Sequence, residues 1–569
     1  MGQPGNTNNE RRDSVKCGST SKGNPSNCSR HESSSNDGFS DGEEGIRRSG
    51  VNETSPLLSS SRKGYENDRN YFAQGRFERE RSLFKNKIKS PNGNENDDTT
   101  MQDDIVSKNT DTTVLVELKS LLLSSVPLAI TFLLQCSLSS VSVFAAGNLG
   151  AVELAAVSVG SLTTSMTGYA IIQGIIAALD TLCPQAFGAK KYYLVGSYVQ
   201  KCVAMNFTIM LPILFIWFFF GYEIVLIFLP DDESAKYAAM YLQYIAPGIP
   251  AYILFECGRK FLQAQGIYHV STVVLLFAAP SNVVMNLLFV KTFGFIGIPL
   301  AISVNYWLMT FGLIACIRYF VRPYSTPSGM HPLACWNGLH INQAFNDWSE
   351  LISLAGPGLV MLEAKFFALE VLTLIASRLG TITLASQTIG TAIASLMYQV
   401  SIAIGLASSN RIANFLGAGL KSAAKKTTQV SLGLGIIFSS INVCFLYGFR
   451  GFIVPLFTKD EKVIKTVEGV MWLIALMQAF DSMNAGSAGC LRGQGQIRIG
   501  SIITLLSYYL VGIPLTIFLT LYSTMKGKID GLWIGNCAAL FIIGLVQSYY
   551  SLFADFAKLC RDSQERTSK

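Results

Sequence analysis

The chain has 569 residues, half of them apolar, and a formal net charge of +7. Its charged residues concentrate in the first hundred or so positions, where Ser, Asn, Gly, Arg and Glu dominate. Such a composition buries too little surface to offset chain entropy, so residues 1–112 are predicted to form a disordered cytosolic N-terminal tail. The twelve cysteines contain no CxxC pair, which argues against a metal site. Membrane topology accounts for the basic residues without nucleic acid as a partner.

Apolar runs of roughly 20 residues, the length that crosses a bilayer, recur from Val114 to about Phe556. They predict an all-α polytopic membrane protein with about twelve transmembrane helices, and a count of thirteen stays open around residues 221–230. The predicted helices cover residues 119–143, 152–180, 196–220, 237–258, 269–291, 297–319, 348–376, 382–408, 424–448, 464–488, 498–521 and 531–556.

The basic residues between these helices indicate the orientation. One face carries Lys190, Arg411 and Arg492 and roughly twice as many basic residues as the other, which has the acidic loop 231–233. The basic face is therefore predicted to be cytosolic, together with both chain termini. The expected domains are an N-terminal six-helix lobe at 113–320, a cytosolic inter-lobe loop at 321–347, a C-terminal six-helix lobe at 348–556 and a cytosolic C-terminal tail at 557–569.

The two halves of the membrane region repeat each other. A shift of 230 residues aligns Pro127 with Pro357 and Gly160 with Gly390, and a shift of 229 aligns Gly188 with Gly417. A half of six helices begins and ends on the same side, so the repeats are parallel and related by a pseudo-two-fold axis along the membrane normal. Two such lobes enclose a central cleft, and rocking of one against the other gives alternating access.

Several segments resemble the multidrug and toxic compound extrusion (MATE) family. They are GNLGAVELAAVSVG and ALDTLCPQAFGAKKYYLVG in the first half, and LGTITLASQTIG, SSNRIANFLGAG and AGCLRGQGQIRIG in the second. The similarity covers about residues 115–556, and the loop CWNGLHINQAF is similar to fungal members. The resemblance implies a V-shaped, two-lobed secondary active antiporter that exports small organic, often cationic, compounds or xenobiotics in exchange for H+ or Na+. It implies no cofactor besides the ion gradient.

Ionisable side chains at bilayer depth are costly and are therefore candidates for function. The candidates for coupling or substrate binding are Glu370, Glu363, Asp481, Asp180 and Lys365, together with Asn484 one turn from Asp481. Glu363 and Glu370 are seven residues apart and lie on nearly one face of the seventh helix, after the bend-prone Pro357. A carboxylate that faces a cleft can exchange a proton for a cationic substrate. The alternative role of each candidate residue is to pack or bond to neighbouring helices.

One position departs from the family pattern. Related sequences commonly have glutamate five residues before Glu370, where this chain has Lys365. The lysine is expected to neutralise Glu370 or Asp481, so a zwitterion or amino-acid analogue competes with a cation as the expected substrate. Glu256 is expected to form an intrahelical ion pair with Arg259 and Lys260, which follow it by three and four residues.

Within the tail, Glu53, Leu57 and Leu58 of ETSPLL resemble an acidic dileucine sorting signal. A sorting adaptor that reads this signal would direct the protein to the vacuolar membrane, and the plasma membrane is the alternative. Competing functions are a lipid-linked oligosaccharide flippase of the same superfamily and a nutrient receptor that binds without transport. An enzyme is disfavoured because no nucleophile and base constellation is present, and ATP-driven transport because no Walker spacing is present.

Overall fold

The computed structural model describes residues 112–228, 231–323, 326–522 and 529–568. The predicted tail lies outside these ranges except for Thr112, and so do Glu53, Leu57 and Leu58 of the predicted sorting signal. In the described ranges the regular structure is helical throughout. Ten helical stretches there are long and apolar enough to cross a membrane.

Within the described ranges, twelve helices of membrane-crossing length form two halves; the ten stretches count α5 and α6 as one and leave out α7. The first half contains α1 (Val114–Gly147), α2 (Val152–Gly188), α3 (Tyr192–Phe228), α4 (Asp232–Ala264), α5 (His269–Phe293) and α6 (Gly297–Ala315). The second contains α7 (Ser349–Arg378), α8 (Thr381–Gly417), α9 (Lys421–Gly448), α10 (Glu461–Gly493), α11 (Ile497–Leu521) and α12 (Asp530–Leu552). A further helix, α13 (Phe556–Ser568), follows.

The helices agree with the prediction in number and order but differ at their ends. α2, α8 and α10 continue past their predicted ends to Gly188, Gly417 and Gly493. Residues 221–228 complete α3, so they are no separate crossing. The end predicted for the twelfth helix at residue 556 is wrong, because α12 ends at Leu552. The expected C-terminal tail folds as α13, whose apolar face packs on the C-terminal lobe.

The two lobes meet at a crossing of α2 and α8 that follows the internal repeat. A Cβ atom added to Gly188 would lie 2.0 Å from the carbonyl oxygen of Asn414, and one added to Gly417 would lie 2.0 Å from that of Gln185. The shift of 229 that aligns the two glycines also aligns Gln185 with Asn414. Each glycine thus packs on the equivalent backbone of the other lobe, so the pseudo-two-fold axis passes through this crossing.

The first helix of each lobe also joins the two lobes. In α1, Leu121 and Leu128 pack in a cluster with Leu406 of the C-terminal lobe. In α7, Leu351 and Leu354 belong to the core of the N-terminal lobe, whereas residues further along the helix belong to the core of the C-terminal lobe. In both helices, these contacts come from the half of the helix nearer its N-terminus. The lobes are therefore joined at the end that carries the basic loops, which is called the basic end below.

Away from the basic end, each lobe has packing of its own. The segment Ala151–Thr164, which contains the first part of α2, packs against α3 and α4 of its own lobe. The two largest apolar cores are separate, one in each lobe. The inter-lobe loop packs under the N-terminal lobe, where the Gln200 amide donates to the Gly338 carbonyl oxygen at 2.8 Å. The contacts that Gly188, Gly417 and Arg492 make between the lobes thus lie at the basic end.

Candidate functional site

A buried ion pair lies near the middle of the C-terminal lobe. Lys365 of α7 and Asp481 of α10 are 116 residues apart in sequence, and the Lys365 ammonium donates to both Asp481 carboxylate oxygens at 2.9 and 3.2 Å. The side chains are 20% and 6% exposed. The small residues that follow Asp481 in α10 allow close packing of α8, since Gly489 approaches the backbone of Gly405. Of the two partners predicted for Lys365, the structure therefore gives Asp481 and not Glu370.

Aromatic and amide groups complete the surroundings of the ion pair. The Lys365 ammonium lies 3.6 Å from the centroid of the Tyr398 ring. The Asn484 amide donates to Asp481 Oδ1 at 3.5 Å, a weak contact at that length. Tyr508 lies in a π turn of α11, close enough to Lys365 and Asp481 to interact with them electrostatically. Its hydroxyl is buried and has no hydrogen-bond partner among the described residues.

The other two acids of α7 face away from this pair. Glu363 and Glu370 are partly buried, and neither has a hydrogen-bond or ion-pair partner within the described ranges. One Glu363 carboxylate oxygen is fully buried. The buried face of the helix instead carries Ala364 and Ala368, roughly a third of a turn away from the two glutamates. The structure thus brings Lys365, Asp481 and Asn484 together and leaves Glu363 and Glu370 outside the cluster.

The N-terminal lobe has different chemistry at the equivalent place. The shift of 230 pairs Lys365 with Gln135, and the shift of 229 pairs Asp481 with Tyr252. Gln135 donates to Glu256 at 2.7 Å and accepts from Arg259 at 2.9 Å, and Glu256 also pairs with Arg259. The predicted intrahelical pair of Glu256 with Arg259 is therefore confirmed, but its pairing with Lys260 is wrong.

Lys260 instead belongs to a charge cluster at the basic end. Its ammonium lies 2.6 Å from Asp180 of α2, and Arg492 of the C-terminal lobe contacts the other Asp180 oxygen at 3.3 Å. The adjacent Thr181 hydroxyl donates to the Arg492 carbonyl oxygen at 2.5 Å. Asp180 is 2% exposed. The geometry therefore places Asp180 at the junction of the lobes, away from Lys365 and Asp481.

Two further inter-lobe contacts have no signal in the sequence pattern. Glu117, at the start of α1, pairs with Arg411 of α8 and accepts from the Thr427 hydroxyl at 3.0 Å. The C-terminal helix α13 packs on the C-terminal lobe, while the Lys191 ammonium of the N-terminal lobe donates to the Thr567 carbonyl oxygen at 2.7 Å. Both contacts join residues that are 294 or more positions apart, beyond the reach of local spacing.

Comparisons with known proteins agree with this architecture. The MatE family profile matches residues 127–288 and 359–518, one match in each lobe. An uncharacterized transporter of Saccharomyces cerevisiae is 40% identical over 439 residues, which are 76% of this chain and 61% of that protein. The chain thus spans less than two thirds of the length of this yeast relative.

A plant relative and a solved structure cover most of their own lengths. Protein DETOXIFICATION 17 of Arabidopsis thaliana is 32% identical over 455 residues, 79% of this chain and 93% of that protein. The crystal structure of the eukaryotic MATE transporter AtDTX14 has a TM-score of 0.73 at 24% identity, covering 80% of this chain and 99% of that one. The resemblance seen in the sequence is confirmed: the chain is a multi-pass membrane transporter, not an enzyme, and it belongs to the MatE family.

Proposed function

We propose that the protein is a proton-coupled antiporter that exports small organic compounds from the cytosol by alternating access. The observation that carries the proposal is the pair of carboxylates on α7, Glu363 and Glu370, which lack an ion-pair partner among the described residues. A charged group in such a setting is costly unless it binds a proton or a cation. Carboxylates that bind a proton on one side of the membrane and release it on the other, in step with substrate movement, are a basis of exchange.

The contacts between the lobes support alternating access. The Asp180 cluster and the crossing of Gly188 with Asn414 hold the basic end closed. If the basic end is cytosolic, this state is open only away from the cytosol. On that side of the membrane the substrate leaves and a proton enters. Rocking of the lobes would then break the charge cluster and open the cleft to the cytosol.

The alternatives have less support. A flippase for an anionic lipid-linked sugar needs free cations in its cleft, whereas Lys365, Arg259 and Lys260 each lie in an ion pair with an acid. A receptor would bind a compound without moving it. The vacuolar membrane remains the expected location, with the plasma membrane as the alternative. A fluorescently tagged chain in which Leu57 and Leu58 are replaced by alanine tests this, because loss of vacuolar sorting is the expected result.

Proton flux in reconstituted vesicles tests the proposed exchange. Proteoliposomes that contain a pH-sensitive dye are exposed to tetraethylammonium, glycine betaine, phenylalanine and para-aminohippurate in turn. We expect at least one of these compounds to drive proton movement in the opposite direction. Glu370→Gln, which removes the charge but keeps the size, should lower this flux by about tenfold, equal to roughly 1.4 kcal/mol.

Glu461→Gln is the matched control, because the Glu461 side chain is 87% exposed at the start of α10. Its flux should equal that of the wild type. Flux that follows an imposed sodium gradient alone would replace the proton by sodium as the coupling ion. Proton flux that none of the compounds changes would contradict antiport and favour a receptor.

A further inference from the structure

In the C-terminal lobe, a side chain of the protein occupies the place where an external cation would bind. The Lys365 ammonium contacts both oxygens of Asp481 at 2.9 and 3.2 Å and lies 3.6 Å from the centroid of the Tyr398 ring. A carboxylate beside the face of an aromatic ring is an arrangement that attracts ammonium groups. Lys365 is therefore a tethered cation within a cation-binding cluster.

A free organic cation binds poorly to such a cluster. It has to compete with an ammonium that the backbone of α7 holds in place, which corresponds to a high effective concentration. If the free cation won, Lys365 would remain at bilayer depth without its counter-ion, a costly state. The cluster therefore selects against compounds that carry only a positive charge.

A compound with both charges avoids this cost. We infer that the transported substrate is a zwitterion such as an amino acid or a betaine, whose carboxylate binds Lys365 while its ammonium binds Asp481. This inference rests on the proposed function and names the substrate class of that transporter. Insertion between the two side chains leaves each of the four charges next to an opposite one, so neither Lys365 nor Asp481 loses its partner.

A second observation points to a ligand at the same place. The Tyr508 hydroxyl is buried, lies near both Lys365 and Asp481, and has no hydrogen-bond partner within the described ranges. Buried polar groups are normally hydrogen-bonded, so a hydroxyl left over at a charged cluster is suited to a ligand carboxylate. Tyr398 supplies an aromatic face for the ammonium of the same compound.

Comparison of the two repeats shows that the pair of opposite charges is present in one lobe. The equivalents of Lys365 and Asp481 in the N-terminal lobe are Gln135 and Tyr252, which carry no opposite charges. Glu363 and Glu370 lie outside the Lys365 cluster and are left to bind protons. Substrate recognition and proton binding are thus separated along α7.

Transport by the wild type decides the inference. With the vesicles described above, glycine betaine or phenylalanine should drive proton movement at least tenfold faster than tetraethylammonium or para-aminohippurate. Equal or faster movement with tetraethylammonium would overturn the inference and leave antiport intact. If all four compounds fail to drive proton movement, the proposed function falls and the inference falls with it.

Two variants separate recognition from a merely structural ion pair. Lys365→Met keeps the length of the side chain without its charge, and it should lose most zwitterion transport and gain tetraethylammonium transport. The double variant Lys365→Asp with Asp481→Lys keeps an ion pair and should retain the zwitterion preference. Unchanged selectivity in Lys365→Met would refute the inference. If that variant does not fold by size-exclusion chromatography, the double variant decides, because a preference for tetraethylammonium there would equally refute the inference.

Discussion

At the residue scale, the Lys365 and Asp481 pair makes a prediction about stability. Removal of one partner leaves a buried charge uncompensated, so Asp481→Asn should destabilise the protein by about 3 to 5 kcal/mol. The double variant Lys365→Met with Asp481→Asn should recover much of this loss, because it buries no charge. Thermal unfolding in detergent, followed by tryptophan fluorescence, measures both. A double variant less stable than Asp481→Asn would contradict a simple ion pair.

Most of the residues in this cluster were predictable, but their partners were not. Asp481, Lys365 and Asn484 stand out because polar groups are rare within apolar helices. The partner of Lys365 stayed open between Glu370 and Asp481, because the sequence spacing within α7 says nothing about which helix packs beside it. Lys260 shows the limit of local rules, since its spacing fits Glu256 but its ammonium reaches Asp180 on another helix.

At the scale of single helices, the crossing of α2 and α8 depends on glycine. In Gly188→Val, the added Cβ atom would lie 2.0 Å from the Asn414 carbonyl oxygen, so the backbones have to separate. We expect a loss of stability of about 1 to 3 kcal/mol, the usual effect of overpacking. Gly433→Ala in α9 is the control, because no atom lies within 4 Å of its added Cβ. A thermal shift as small as that of the control would show that the crossing tolerates a side chain.

Hydropathy placed the helices well but missed the lengths of α2, α8 and α10. Their last turns at the basic end contain polar residues such as Gln185, Asn410 and Arg492, which lower the apolar average and suggest a loop. In the fold these turns lie between the lobes, where Gln185 and Asn410 are buried. A contact between the two halves thus keeps the polar turns helical. In the sequence, only the internal repeat indicated this contact, because it aligns Gly188 with Gly417.

At the scale of the whole molecule, the Asp180 cluster and α13 should act together to hold the basic end closed. Cys560 of α13 is buried against the C-terminal lobe, and burial raises the pKa of its thiol to about 11. Because the thiolate is the reactive form, maleimide should label Cys560 slowly near neutral pH and faster as pH rises toward 11. Asp180→Asn, which deprives Lys260 and Arg492 of their shared counter-ion, should speed this labelling.

Mass spectrometry of the peptide that contains Cys560 measures the labelling rate. Asp232→Asn is the control, because Asp232 is an exposed acid at the opposite end of the N-terminal lobe. It should label like the wild type. If Asp180→Asn labels no faster than this control, the charge cluster does not close the basic end.

Alternating access is the central claim, and two distances between spin labels test it most directly. One pair, at Tyr193 and Lys425, spans the lobes at the basic end, and the other, at Glu233 and Lys462, spans them at the opposite end; all four positions are exposed. With substrate and a proton gradient, the distance at the basic end should lengthen while the distance at the opposite end shortens. Distances that stay fixed during measured transport would contradict the account.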